Sequence, residues 1–322
     1  MPANWSFGGR VFDPALVAPP GSLAAEIAPF CLWGIINITP DSFFDGGQYN
    51  NPAAALERAS HLQNAGALIL DLGAASTRPN AKDIDPQEEL QRLRPLLDSL
   101  LATRRAKGQL KAGPATDNNQ ADSFISPFIS PIISPIISPI ISIDTWQAKV
   151  AAAALEAGAD ILNDISAFAW DPALLDVIAD YKPGYVLMHC QGKPDNMQTA
   201  PNYANLVEEV LDFFEQKMEN LVRAGLPEEC IILDPGIGFG KNLPHNLALL
   251  SAIDRLSTLG RPLLLGISNK SFLGELLDLD VTDRQEATAV CTALLGQAGV
   301  RHHRVHGVAS AARALRLVKA LQ

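Results

Sequence analysis

The feature that most constrains the fold is a rhythm. Eight short apolar runs each end in a polar or small residue, and each is followed by a segment of helical periodicity. The runs are "CLWGIIN" from Cys31, "LILDLGA" from Leu68, "IISID" from Ile140, "ILNDIS" from Ile161, "YVLMHC" from Tyr185, "IILDPG" from Ile231, "LLLGIS" from Leu263 and "HRVHG" from His303. They are continuous rather than alternating, the pattern of parallel strands covered on both faces. Between them lie helical segments such as "AAALERASHLQNAG", which follows Asn51-Pro52 and closes at Gly66. A proline in the first turn and a glycine just past the end are the usual helix boundaries. A second, "DPQEELQRLRPLLDSLLATRR", opens in the same way at Asp85-Pro86.

Eight strands alternating with eight helices over 322 residues predict an α/β chain closed into a (β/α)8 TIM barrel. A doubly wound open sheet is the alternative. The leading "WSFGGRVFDP" predicts a short N-terminal β-hairpin that plugs the N-terminal end of the barrel. Residues 1–322 read as a single domain.

One segment breaks the rhythm. From Ser123 to Thr145 the chain repeats Ser-Pro-[Phe/Ile]-Ile, preceded by the polar "KGQLKAGPATDNNQAD". Proline every fourth residue forbids a helix and a central strand. Residues 103–139 therefore read as a low-complexity Ser-Pro-Ile insertion, a long loop between helix 2 and strand 3 in extended conformation. A tolerated insertion is the plainer reading, and partner docking the other.

Composition limits the function classes. Hydrophobic residues make up 48% of the chain, enough for a large core, and the formal net charge is −10. That acidity argues against a nucleic-acid binder but leaves room for a small anionic substrate met by a few cations in one cleft. The cysteines Cys31, Cys190, Cys230 and Cys291 are far apart in the sequence. Unpaired thiols, no signal-peptide pattern and no apolar run of membrane-spanning length predict a cytoplasmic location and no membrane partner.

In a barrel of this kind the C-terminal strand ends form one mouth. The polar residues there are Asn37, Asp71, Asp144, Asn163, Asp164, His189, Asp234, Ser268, Arg304 and His306. Any one of them could be a loop cap, but together they would place carboxylates, amides and cations around one cavity. The glycine-rich "PGIGFGK" from Pro235 to Lys241 is not a dinucleotide fingerprint. It follows the sixth strand, and "NLPHN" separates it from the next helix. It reads as a loop that allows close backbone approach to a flat ligand.

Seven blocks in order carry a resemblance. "GIINITPDSFFDGGQY", "DLGAASTRP", "ISIDTWQAKVAAAALEAGADILNDISA", "VLMHCQGKPDNMQ", "IILDPGIGFGK", "GISNKSFLG" and "RVHGV" together resemble the signatures of the dihydropteroate synthase family of pterin-binding enzymes. The match spans nearly the whole chain outside the insertion. It implies a (β/α)8 barrel and a transferase of folate biosynthesis. The reaction would join the methylene carbon of a dihydropterin pyrophosphate to the amine of p-aminobenzoate, releasing pyrophosphate. It also implies Mg2+ as cofactor and a homodimer.

Residue by residue, the resemblance assigns the pterin to Asp144, Asn163, Met188, Asp234 and Lys270. It assigns pyrophosphate to Asn37, Thr77, Arg304 and His306, with Asn37 as the protein ligand of the metal. Lys270, Arg304 and His306 are the residues taken as catalytic. Thr77, Arg78, Pro79, Phe239 and Ser271 would line the p-aminobenzoate pocket. The chain departs from the family pattern at Ala74, Ala75 and Asn80 in loop two, at Asn242, and at Asn269 and Gly307 in later blocks. Two rivals share some of these residues. One is a pterin-binding methyltransferase barrel, and the other a non-catalytic pterin-binding relative that docks a partner through its Ser-Pro repeat.

Overall fold

The computed structural model describes residues 5–38, 52–75, 84–111, 139–194 and 196–322. Two short strands open the chain, β1 (Trp5–Phe7) and β2 (Arg10–Phe12), paired antiparallel across Gly8 and Gly9. Both glycines take positive φ, 57° and 71°, as a tight two-residue hairpin turn requires. Two short helices follow, α1 (Pro14–Val17) and α2 (Leu23–Ile27).

The barrel strands come next: β3 (Cys31–Asn37), β4 (Ala67–Gly73), β5 (Ile140–Asp144), β6 (Ile161–Asp164), β7 (Gly184–Met188), β8 (Ile231–Asp234), β9 (Leu264–Leu265) and β10 (His302–Val305). All eight form one parallel sheet in the order β8-β7-β6-β5-β4-β3-β10-β9. A parallel bridge between Leu233 and Leu263 joins its two ends and closes the barrel. Each apolar run in the sequence therefore became a strand. The seventh is shorter than its sequence suggests, because regular pairing stops before Gly266-Ile267-Ser268.

The outer layer holds α3 (Pro52–Asn64), α4 (Pro86–Lys111), α5 (Ala148–Ala157), α6 (Leu174–Tyr181), α7 (Leu206–Ala224), α8 (Leu243–Ser251), α9 (Ile253–Ser257), α10 (Ser271–Leu277), α11 (Arg284–Gln297) and α12 (Val308–Leu321). Two differences from the sequence reading stand out. Helix α4 runs on to Lys111, so residues 103–111 belong to a helix and not to the inserted loop. Arg104 shows what anchors the extension: its guanidinium bonds Asp160 and the carbonyls of Gly158 and Pro139. The rest of the repeat up to residue 138 lies outside the described residues. Second, α10 intervenes between β9 and α11, so the strict one-helix-per-strand alternation does not hold there.

The hairpin does close the barrel's N-terminal end. Trp5 is buried, stacks on Trp33 with centroids 5.6 Å apart, and donates its Nε1 hydrogen to Cys230 O at 2.8 Å. A side chain at Gly184, where β7 begins, would stand 3.1 Å from both Trp5 and Phe7. Apolar filling at this end leaves the polar strand ends to the opposite rim.

Candidate functional site

Register puts the polar residues in one layer. Asn37 lies opposite Gly73, Gly73 opposite Asp144, Asp144 opposite Asn163, and Met188 opposite Asp234. All sit at the C-terminal ends of their strands, where side chains converge on the mouth. Gly73 matters by what it lacks: a Cβ there would stand 3.6 Å from Asn37 Oδ1 and 3.6 Å from Asp144 Cβ. The gap between those two side chains stays open.

Arg304 organises the centre. Its Nε donates to Asp71 Oδ2 at 2.5 Å and its Nη2 to Asp144 Oδ2 at 2.5 Å. Asp71 is completely buried and also accepts from Ser142 Oγ at 2.6 Å and from Asn163 Nδ2 at 3.2 Å. The Asn163 amide nitrogen is thereby engaged, which turns its oxygen toward other donors. Sequence reasoning noted Asp71 as a strand-end carboxylate without giving it a role. The signal was its place two residues before the end of β4, level with Ser142 on β5.

Asp144 differs from its neighbours. Its Oδ1 is buried and has no hydrogen-bond partner among the described residues. Burial pushes its carboxyl up to about 7. Arg304 pulls it down, Asp71 and Glu89 push it further up, and Lys270 pulls it down. A buried acceptor without a donor is costly, and this atom has room to accept from a group that enters the mouth. Asp234 accepts the Gly236 N–H at 2.8 Å through Oδ1, and burial raises its carboxyl as well.

Lys270 reaches the same space. Its ammonium lies 3.9 Å from the centroid of the Phe239 ring, and burial lowers its pKa to about 8 with Arg304 adding to the effect. Phe239 packs in a small cluster with Met188, Ile165 and Met197. On the far side, His306 Nδ1 lies 3.0 Å from Ser268 Oγ, and His306 Nε2 is 3.4 Å from the Asn37 amide nitrogen. Arg58 Nη2 donates to His306 O at 2.9 Å, fixing the backbone there. Ser271 is exposed and is the first residue of α10, with Lys270 as its N-cap. Thr77, Arg78 and Pro79 lie outside the described residues, as do Asn80 and the "FFDGG" segment.

In the glycine loop, close backbone approach to protein accounts for two of the three glycines. A Cβ at Gly236 would stand 1.9 Å from His189 O, and one at Gly240 would stand 2.4 Å from Gln191 O. Lys241 is engaged within the protein. It is buried, and its Nζ bonds Phe239 O at 2.9 Å, Gly236 O at 3.1 Å, His189 O at 3.2 Å and His189 Nδ1 at 2.9 Å. Burial brings its pKa down to about 7 and that of His189 to about 2. His189 is therefore a neutral acceptor pinned to a loop. Asp164 is likewise structural: it accepts from the N–H groups of Ser166 and Phe168 and from the Tyr185 hydroxyl. Asn242, one of the departures, serves as the N-cap of α8 in a capping box with His245.

The chain as a whole resembles known proteins. Residues 33–107 and 113–306 match the family model described as pterin binding enzyme. A dihydropteroate synthase of Synechocystis sp. is 38% identical over 89% of this chain and 89% of its own. The chain belongs to the dihydropteroate synthase family. The dihydropteroate synthase of Escherichia coli is 34% identical, covering 89% of this chain and 90% of its own. Among solved structures, a Yersinia pestis dihydropteroate synthase with a sulfonamide drug complex superposes with TM-score 0.80 at 32% identity, over 99% of this chain and 98% of that one. One from Xanthomonas albilineans with 4-aminobenzoic acid gives TM-score 0.78 at 31% identity, over 100% and 99%. Where they are described, the blocks quoted from the sequence include the strand ends that build the mouth.

Proposed function

We propose that this chain is a dihydropteroate synthase, joining a dihydropterin pyrophosphate to p-aminobenzoate with release of pyrophosphate. The observation that carries the proposal is the unpartnered Asp144 Oδ1, standing in one mouth with Asn163, Asp234 and Lys270. An aminopyrimidinone edge offers several N–H donors and ring acceptors. Asp144, Asp234 and the Asn163 oxygen would accept from it, and Lys270 would donate to its acceptor side. Met188 would pack on the ring face. A heterocycle without those donors would leave buried carboxylates unpaired, which is the source of selectivity.

Pyrophosphate leaves as a multiply charged anion, so cations aimed at the departing oxygens help it. Arg304 and His306 alternate along and just past β10, which turns both toward the mouth. Arg304 already neutralises Asp71 and Asp144. His306, set by Ser268, would donate to a phosphate oxygen. The ring nitrogen conjugated with the methylene can share the positive charge as the leaving group departs. The aniline nitrogen then attacks the methylene carbon and loses its proton. Phe239, Ser271, Thr77, Arg78 and Pro79 are the residues proposed to bind the aniline.

Among the described residues no set of three His, Cys, Asp or Glu gathers as a metal site. The amide oxygen of Asn37 facing the open space above Gly73 nevertheless suits Mg2+. That ion commonly takes one or two protein oxygens and fills its shell with water and substrate phosphates. When bound it would neutralise charge on the leaving pyrophosphate.

A cytoplasmic homodimer completes the reading. The four cysteines are free, as in a reducing compartment, and no described helix is long and apolar enough to cross a membrane. An apolar groove between α11 and α12 exposes Val290, Leu294, Leu317 and Leu321, which suits a second copy of the chain. The deciding assay combines the purified protein, dihydropterin pyrophosphate, p-aminobenzoate and Mg2+. Pyrophosphate release that requires the aniline is the expected result. Release indifferent to the aniline, or none, would refute the proposal.

A further inference from the structure

Under the mouth, α4 carries a carboxylate that the chemistry above does not use. Glu89 is 1% exposed and hydrogen-bonds the side chains of Thr145 and Gln147, which are themselves buried. Those two residues flank Trp146 in the turn that leaves β5 directly after Asp144. Gln147 Nε2 also donates to Ile84 O at 3.2 Å, and Gln147 N donates to Thr145 Oγ1 at 3.2 Å. Thr145 N in turn donates to Asn163 O at 3.2 Å. One helical turn beyond Glu89, Arg92 Nη1 donates to Ala74 O at 3.3 Å, just past Gly73.

Helix capping does not explain this network. Gln147 occupies the N-cap of α5, yet its side chain makes no cap bond. The Ala148 N–H goes instead to Asp171 Oδ2 at 2.8 Å. Gln147 has turned away from its own helix to reach Glu89. An apolar residue at position 89 would fill the same space without burying a carboxyl group, and burial does push the Glu89 pKa up. A buried acceptor retained there fits a requirement on the geometry of the turn it grips.

We propose that Glu89 is a positioning residue: by holding Thr145 and Gln147 it fixes the orientation of the Asp144 carboxylate and of Asn163 beside it. The inference rests on the reading of Asp144 as a pterin ligand. Residues that orient a ligating side chain commonly matter almost as much as the ligand itself.

The test titrates 6-hydroxymethylpterin monophosphate into the parent protein and into Asp144→Asn, Glu89→Met, Glu89→Gln and Gln147→Met, with thermal melts of each. Glu89→Met is expected to bind about tenfold more weakly, the usual order for an outer hydrogen-bond partner. In turnover the KM for dihydropterin pyrophosphate should rise more than kcat falls. Glu89→Gln keeps an acceptor for Gln147 and a polar partner for Thr145, and should restore affinity. Gln147→Met breaks the same bond from the other side and should match Glu89→Met. Parental affinity in both Met variants overturns the proposal, as does a Glu89→Gln protein no better than Glu89→Met. If Glu89→Met does not fold, Gln147→Met carries the decision alone. A parent that does not bind the pterin, or an Asp144→Asn protein that binds as the parent does, would instead refute the assignment of the site.

Discussion

Arg304 Nη2 stands 2.5 Å from Asp144 Oδ2, and the same guanidinium spans to Asp71 at 2.5 Å. One cation therefore holds two buried carboxylates from adjacent strands. Arg304→Met should destabilise the fold by about 3–5 kcal/mol at neutral pH, because two buried carboxyl groups lose their shared partner. Urea unfolding of parent and variant measures the loss, and an unchanged stability would contradict this account.

Asp144 gives a pH signature. Its folded-state pKa of about 7 lies above the ordinary carboxylate value of about 4, so the folded protein holds an extra proton between them. Its contribution to stability is present below about pH 4 and is lost as pH rises toward 7. Asp144→Asn lacks that titration. Its stability relative to the parent should climb across this window and level off above it, as read from melting temperatures. The same variant, and Asp234→Asn likewise, should weaken pterin binding by about 1–3 kcal/mol by calorimetry.

Lys270 sets the alkaline limit. Burial lowers its pKa to about 8, so the ammonium proposed to donate to the pterin is lost as pH rises through that value. Pterin affinity should fall above about pH 8. Lys270→Met should bind weakly at every pH and show no such alkaline limb. An unchanged limb in that variant would assign it to another group.

Gly236 tests the backbone contact between the loops after β7 and β8. It has φ 67°, and an added Cβ would meet His189 O at 1.9 Å. Gly236→Ala is expected to cost about 1–3 kcal/mol, since neither backbone can yield without loosening the bonds of Lys241. Chemical denaturation measures the loss. Pterin affinity should fall with it, because Phe239 stands on that loop and the Lys270 ammonium packs over its ring.

The eight strands were legible because parallel strands covered on both faces must be apolar throughout, and such runs survive in any context. Polar residues at their ends were legible for the same reason: a lone Asp or Asn closing an apolar run is conspicuous. The extent of α4 was not. Its last turns carry Gly108 and few apolar residues, and they are held by Arg104 reaching Asp160 in the loop before β6. The meaning of the glycine loop was hidden too, because the sequence gives no sign that Gly236 and Gly240 meet His189 and Gln191.

By itself the amino-acid order determined the barrel, its polar rim and the family whose blocks it carries, since these depend on local periodicity and on residue type. Tertiary structure alone decided how the ionisable groups divide the work. Asp71 and Lys241 became internal braces, Asp144 kept one oxygen free, and His189 became a neutral acceptor. Those outcomes depend on burial and on partners tens to hundreds of positions away, and both exist only once the strands have closed.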